Sequence, residues 1–233
     1  MTSPDTTVEP AGASAEVDVE ATGDEATEDT AHAPPVVVTV VAHEPGEWFE
    51  EVLASLDAQD YPNLSVLVVD VGAPPEGAVD PLIGRVAAVL PSAYVRSIEG
   101  NPGFSTAANE VLEVVEGAAF YCFCHDDVAL DPSAIRNLVE EALRSNAGVV
   151  GPKLVEWEDP TRLLDVGLVA DKTGVVAPIV ERGELDQEQH DAIRDVFLVP
   201  SACVLVRADL FRVLGGFDPE IPMHGEDLDL CWR

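Results

Sequence analysis

From residue 36 onward, short apolar runs alternate with stretches whose apolar positions recur every three or four residues, the signatures of strand and amphipathic helix. Val36–Ala42, VVVTVVA, is a continuous apolar run that predicts a buried parallel strand. Phe49, Val52, Leu53 and Leu56 fall on one face of a helix predicted over 47–58. Leu64–Asp70 predicts a second strand, ending in a carboxylate. A short helix follows over 82–90, a third strand over 94–98, and a helix over 104–115 opened by the turn Asn101-Pro102-Gly103. The run 118–124 predicts a fourth strand, with a helix over 133–145 behind it. Strands alternating with helices of this size imply right-handed crossovers, so the predicted class is α/β: a mostly parallel, Rossmann-like sheet with helices on both faces.

The pattern loosens beyond residue 147 into a smaller mixed region. Residues 148–155 predict a strand, and 163–178 a hairpin or meander turning at Lys172-Thr173-Gly174. The polar segment 183–195 reads as a loop or a mobile flap. A strand is predicted over 196–207, bent or placed at an edge by Pro200-Ser201-Ala202, and a short helix over 209–214 ends at Gly215-Gly216.

Composition changes the picture at the amino end. Residues 1–33 hold nine acids, no Lys or Arg and no aromatic residue, which is the signature of a disordered acidic tail. The folded part is therefore expected over 34–233. It remains strongly acidic, with 35 acids against 12 bases, so it offers no basic face to nucleic acid and no charge attraction to an anionic membrane. A phosphate-bearing ligand in such a protein needs a divalent cation or a few placed arginines. No apolar run is long enough to span a bilayer, and no secretory signal is present. Cys122, Cys124, Cys203 and Cys231 make no disulfide framework and are expected as buried free thiols.

The candidate chemistry sits at strand ends. His125-Asp126-Asp127 directly follows the fourth strand, where open α/β sheets bind ligands. Adjacent carboxylates there suit Mg²⁺ or Mn²⁺ holding a diphosphate, because such ions take one or two carboxylates and keep positions for phosphate. The alternative is that Asp127 or Asp131 merely caps the next helix. Glu226-Asp227-Leu228-Asp229 offers a base near a helix start, or else dipole compensation alone. No G-x-G-x-x-G follows the first strand and no Walker A sequence occurs, so the two standard phosphate-cradling loops are missing.

Taken in order along 36–233, these motifs resemble the family 2 glycosyltransferases of the GT-A fold. The segment Val36 to Glu44 occupies that family's nucleobase-pocket position, and Ser55-Leu56-Asp57-Ala58-Gln59-Asp60-Tyr61-Pro62-Asn63 matches its Ser-Leu-x-x-Gln-x-Tyr-Pro-Asn run. Val68-Val69-Asp70 matches its Val-Val-Asp, and Asn101-Pro102-Gly103-Phe104 with Ala108-Asn109 is similar to a segment of the rhamnosyl- and galactofuranosyl-type branch. His125-Asp126-Asp127 stands in place of Asp-x-Asp. Gly215-Gly216-Phe217-Asp218 and Glu226-Asp227-Leu228-Asp229-Leu230 match the acceptor-side motifs.

The resemblance implies an inverting transfer of a sugar, rhamnose or galactofuranose, from a dTDP- or UDP-sugar to a hydroxyl of a cell-envelope glycan or polyprenyl-linked acceptor. It implies Asp227 as base with Glu226 as second candidate, and Asp127 and His125 as ligands of Mn²⁺ or Mg²⁺. His43, Glu44, Asp70, Asn101 and Asp126 are the implied nucleotide contacts, and Arg207 and Arg233 are candidates for the diphosphate. The implied setting is the cytoplasmic face of a bacterial plasma membrane, with a possible membrane-embedded remainder of a longer chain.

Three departures bear on function. His125 removes a negative charge from the metal motif, Val71-Gly72-Ala73-Pro74 replaces the acid and serine that often follow Asp70, and the chain stops six residues after Asp227, as a carboxyl-terminally truncated domain would. They keep open a catalytically silent nucleotide-sugar-binding or scaffold domain. A sugar-phosphate nucleotidyltransferase would need a Gly-rich, basic first loop that is absent.

Overall fold

The seven residues of β1 (Val36–Ala42) are buried along their whole length, as a strand with sheet neighbours on both sides and helices on both faces must be. The structure, a computed structural model, describes residues 33–74, 80–173 and 175–233. The segment expected to be a disordered tail, up to residue 32, lies outside the described residues, as does Gly174 of the expected turn. In chain order β1 is followed by α1 (Phe49–Asp57), β2 (Leu64–Asp70), α2 (Pro81–Val89), β3 (Tyr94–Ser97), α3 (Phe104–Val114), β4 (Phe120–His125) and α4 (Ala134–Ser145). Beyond them come β5 (Val149–Val150), β6 (Leu154–Val155), β7 (Leu163–Asp165), β8 (Leu168–Ala170), β9 (Val176–Pro178), β10 (Cys203–Arg207), α5 (Ala208–Leu214) and α6 (Glu226–Trp232).

The main sheet has six strands in the order β3-β2-β1-β4-β10-β5. The first four are parallel, and β10 runs antiparallel between β4 and β5. Alternate residues of each strand supply the two cores. Val36, Val38, Val40, Cys122, Cys124 and Leu205 face α1, α2 and α4. Val37, Val41, Tyr121, Phe123, Val204 and Val206 face α3, α5 and α6. Each large side chain buried there contributes about 1.5–3 kcal/mol.

Local chemistry explains the helix ends. Asp80 caps α2 by accepting the Leu82 N–H at 2.8 Å, with Pro81 at the first helical position, where its missing N–H costs nothing. Gly215, in the left-handed region at φ 78°, ends α5.

The run Ser55 to Asn63 is a clasp. Gln59 donates to the carbonyls of Ser55 and Asp131 and accepts the Ile135 N–H, while Ser55 Oγ accepts the Leu130 N–H. Tyr61 and Asn63 donate to the carbonyls of Pro34 and Ala33. These bonds tie the end of α1 to the entry of β1 and to the connection between β4 and α4, which carries Asp126 and Asp127.

The second half departs from the sequence expectation in three places. Residues 148–155 form two short strands, because Gly151 packs where a Cβ would lie 2.1 Å from Val199, and Pro152 supplies no N–H. The strand expected over 196–207 is confined to β10, since Ser201 and Ala202 make a turn and Leu198 bridges instead to Leu168. The hairpin expected over 163–178 divides, with β7 pairing with β6 and β8 with β9. Residues 183–195 form a loop, tethered by Lys153, whose Nζ lies 2.6 Å from Asp186 Oδ2 and 2.6 Å from Asp191 Oδ1.

Candidate functional site

Parallel pairing brings the carboxyl ends of four strands to one edge of the sheet. Ala42 lies opposite Asp70, Asp70 opposite Ser97, and Val41 opposite His125. The chain builds β1, β2 and β3 outward to one side, then returns to lay β4 on the other side of β1. Ligands of open α/β sheets bind at such a reversal of strand order. Across it, the His43 N–H donates to Asp126 Oδ2 at 3.0 Å.

Burial raises the Asp126 carboxyl above its ordinary value, the Asp127 charge adds to this, and the His43 N–H opposes it. Asp70 is buried at the foot of the same crevice, 4% exposed. Burial raises its carboxyl too, the neighbouring Asp80 reinforces the shift, and the Gly72 N–H at 2.8 Å opposes it. Glu44 holds a left-handed backbone at φ 47°, and a Cβ on Gly72 would lie 3.3 Å from its Cγ. Asn101, also left-handed, accepts the Gly103 N–H at 3.2 Å and so shapes the turn into α3. The His125 ring stands edge-on to Phe104, with centroids 5.0 Å apart.

Asp131 closes the turn ahead of α4 by accepting from the N–H and Oγ of Ser133, and the cap position of that helix, Ser133, has no side-chain cap. Asp127 is exposed and is not engaged as a helix cap.

The Glu226-Asp227 segment reaches this edge through β10. Because β10 is antiparallel, its first residue, Cys203, lies opposite Cys124, and the His125 N–H donates to the Ala202 carbonyl at 3.0 Å. Ser201 comes next. Its Oγ donates to Glu226 Oε1 at 2.6 Å, and its N–H donates to Asp227 Oδ2 at 3.3 Å. The two groups of carboxylates, after β4 and at the start of α6, are thus joined by one backbone hydrogen bond and one turn. Glu226 is 4% exposed, and its Oε2 is buried with no hydrogen-bond partner among the described residues. Asp165, at the end of β7, adds a further carboxylate. Burial raises it, the Gly167 N–H at 2.6 Å opposes the shift, and the Asp227 charge adds to it.

Ser201 and Asp165 carried no functional signal in the sequence beyond a polar residue interrupting an apolar run. Arg207, a candidate for the diphosphate, is corrected by its place in the sheet, while Arg233, the other candidate, is engaged by its own neighbours. Arg207 lies opposite Phe120 at the far end of β4 and pairs with Asp209, while Arg233 pairs with Asp229 and donates to the carbonyls of Leu214 and Gly216. A shallow cavity bordered by Pro34, Phe120, Leu143 and Arg207 also lies at that far end, away from the carboxylates.

Two carboxylates and an imidazole are by their chemistry a donor set suited to Mg²⁺ or Mn²⁺, with Asp127 exposed at the strand end and Asp126 partly buried beside it. Among the described residues, three ligand atoms within 4.8 Å of one another belong instead to Cys122, Cys124 and Cys203. The neighbouring thiols and burial push Cys124 well up, which keeps it a neutral thiol packed in the core, as expected for these cysteines. Cys231 is only partly buried.

A family model described as Glycosyltransferase like family 2 matches residues 34–233. The chain is 26% identical over 213 residues to the N-acetylglucosaminyl-diphospho-decaprenol L-rhamnosyltransferase of Mycobacterium tuberculosis, covering 83% of this chain and 68% of that one. It is 32% identical over 117 residues to an O-antigen biosynthesis protein of Myxococcus xanthus, covering 48% of this chain and 9% of the relative. The solved mannosyltransferase PcManGT from Pyrobaculum calidifontis, in complex with GDP-Man and Mn²⁺, matches with a TM-score of 0.56 at 19% identity. That match covers 85% of this chain and 51% of the other, so the chain spans only part of the length of the proteins it resembles. With its strand order, its carboxylate-lined edge and a match over the whole of 34–233, the chain belongs to glycosyltransferase family 2 and has the GT-A fold.

Proposed function

We propose that this chain transfers a sugar from a nucleoside-diphosphate donor to an acceptor hydroxyl with inversion at the anomeric carbon. The observation that carries the reading is the junction at His125 and Ala202, which sets Asp126 and Asp127 beside the Ser201 turn that holds Glu226 and Asp227. Attack by a hydroxyl on the sugar's C1 requires a carboxylate within hydrogen-bond reach to take the proton. Asp227 is assigned that role: it is half-exposed, whereas Glu226 is buried and engaged by Ser201. Glu226 is the second candidate.

Asp127 and His125 are assigned to a divalent cation, Mn²⁺ or Mg²⁺. Such an ion, when bound, acts as a Lewis acid toward the leaving diphosphate. Asp126, fixed by the His43 N–H, orients the ribose side of the donor, and His43, Glu44, Asp70 and Asn101 line the nucleobase side. The rhamnosyl relative supports rhamnose as the sugar and a lipid-linked acceptor. We further assign dTDP or UDP as the nucleotide, galactofuranose as the alternative sugar, and a cell-envelope acceptor at the cytoplasmic membrane face. Among the described residues no helix is long and apolar enough to cross a membrane.

Calorimetric titration of UDP and dTDP, with and without Mn²⁺, tests the donor site. The expected result is metal-dependent binding of one nucleotide that Asp127→Ala abolishes. Asp227→Asn is expected to keep that binding and lose turnover. The competing reading, a silent nucleotide-sugar-binding scaffold favoured by His125, requires binding with no turnover in the unaltered protein.

A further inference from the structure

We infer that Arg85 is a positioning residue for the donor's nucleobase, holding from α2 the loop between β1 and α1 that carries His43 and Glu44. The inference rests on the assignment of that loop to the nucleotide in the preceding subsection.

Arg85 applies its whole fork to this loop and to the helix it enters. Nη1 donates to the Pro45 carbonyl at 2.8 Å and Nη2 to the Gly46 carbonyl at 2.7 Å. Nε and Nη2 grip the two oxygens of Glu50 at 2.7 and 2.9 Å. The guanidinium lies over the buried Phe49 ring, 5.3 Å from its centroid. A planar guanidinium can satisfy these acceptors together, which a lysine ammonium on a flexible stem cannot.

The loop requires such a hold. Glu44 is in the left-handed region without being glycine, a conformation that persists only where the surroundings impose it. Gly46 lies against Trp48 so closely that a Cβ would approach the ring to 2.4 Å. On its inner side the loop is fixed to the Asp126 carboxylate through the His43 N–H. On its outer side Arg85 fixes the carbonyls of Pro45 and Gly46. The loop is therefore a strap between the carboxylates after β4 and the cation on α2, and its His43-Glu44 segment lies between the two anchors.

A merely structural role would reside in the Arg85–Glu50 ion pair between α2 and α1, and partly exposed pairs of this kind contribute little. The carbonyl bonds are the part that shapes the nucleotide pocket. Glu50→Gln removes the ion pair and leaves those bonds, Arg85→Gln removes both, and Arg85→Lys keeps the charge but not the fork.

The test is nucleotide titration, donor KM and kcat, and hydrogen exchange over 43–48 for the three variants, with thermal midpoints as a check on folding. Arg85→Gln is expected to weaken nucleotide binding and raise donor KM by about tenfold, as loss of charged hydrogen bonds would, with kcat changed less than about twofold. Arg85→Lys should fall between it and the unaltered protein. Glu50→Gln should remain within about twofold, and loop exchange should accelerate most in Arg85→Gln, less in Arg85→Lys and not in Glu50→Gln. Equal losses in Arg85→Gln and Glu50→Gln, or unaltered binding in Arg85→Gln, overturn the inference. An unaltered protein that binds no nucleotide with or without Mn²⁺ overturns the underlying assignment and this inference with it, a result distinct from either of those.

Discussion

The side-chain amide of Asn109 closes on both backbone groups of Phe217: Nδ2 donates to the Phe217 carbonyl at 2.8 Å, and Oδ1 accepts the Phe217 N–H at 2.9 Å. Phe217 is fully buried among Phe104, Phe123 and Phe211. The helix that starts beside the carboxylate-lined edge therefore grips the turn that leads to Glu226 and Asp227. Four residues earlier on α3, Ser105 donates to the Ile221 and Pro222 carbonyls and continues the grip.

Asn109→Ala leaves two backbone groups of Phe217 unpaired and is expected to cost about 1–3 kcal/mol. Gly216→Ala should cost about as much or more, since Gly216 has φ +80° and its Cβ would meet Asn109 Oδ1 at 2.3 Å. The overlap vanishes in the double variant, so the two losses should sum to more than the double variant shows. Urea unfolding of the three variants measures this.

Ser201→Ala removes the hydroxyl that donates to Glu226 and leaves a buried carboxylate with neither oxygen paired. A loss of about 1–3 kcal/mol is expected, together with a fall in turnover larger than the change in nucleotide affinity. Ser201→Thr keeps the hydroxyl and should restore most of both. Unfolding curves and turnover measured side by side decide it.

Stability should rise on mild acidification. Asp70 and Asp165 are raised above 3.8 in the folded state, chiefly by burial, so the native protein binds protons more tightly than the unfolded chain between 3.8 and the raised values. In that window stability falls as pH rises, and the full cost is present at neutral pH. Glu184 has the opposite sign: hydrogen bonds, first from Gln189, hold it at about 2 against 4.5, and its contribution is lost as pH falls through that interval. The thermal midpoint should therefore climb as pH falls through the raised values of Asp70 and Asp165, and decline as it falls on through the interval from 4.5 to about 2 where Glu184 is protonated. Asp165→Asn should be the more stable protein at neutral pH and show a shallower climb. A midpoint that drops steadily on acidification, identical in both proteins, would contradict the assignment.

Lys153→Met should release residues 184–193 without unfolding the domain. Lys153 anchors Asp186 and Asp191, yet each partly exposed pair is worth only about 0.2–1 kcal/mol. Faster hydrogen exchange confined to that loop, with the thermal midpoint nearly unchanged, is the expected outcome.

Much of this was legible in the chain because it is local. The continuous apolar runs of β1, β2 and β4, the apolar faces of α1 and α4, and the carboxylates ending β2 and following β4 depend on local composition and periodicity and on neighbours a few residues away. The expected spans were met within a few residues there. Beyond residue 147 the same reasoning drew one strand where Gly151 and Pro152 divide it, and a long strand where Ser201 turns. In both places contacts with distant residues, Val199 and Glu226, override propensity.

The pattern also misread Arg207. It stands on an apolar strand near a glycine turn, but strand direction decides which end of the sheet it occupies, and β10 runs antiparallel. That single reversal puts Arg207 at the far edge and Ser201 at the near one. It also brings Glu226 and Asp227 to Asp126 from a hundred positions away. Periodicity states that a segment is a strand and which side chains share a face. Partner and direction are set by the summed burial of both faces and by closure of the hydrogen-bond ladder, which no local window contains.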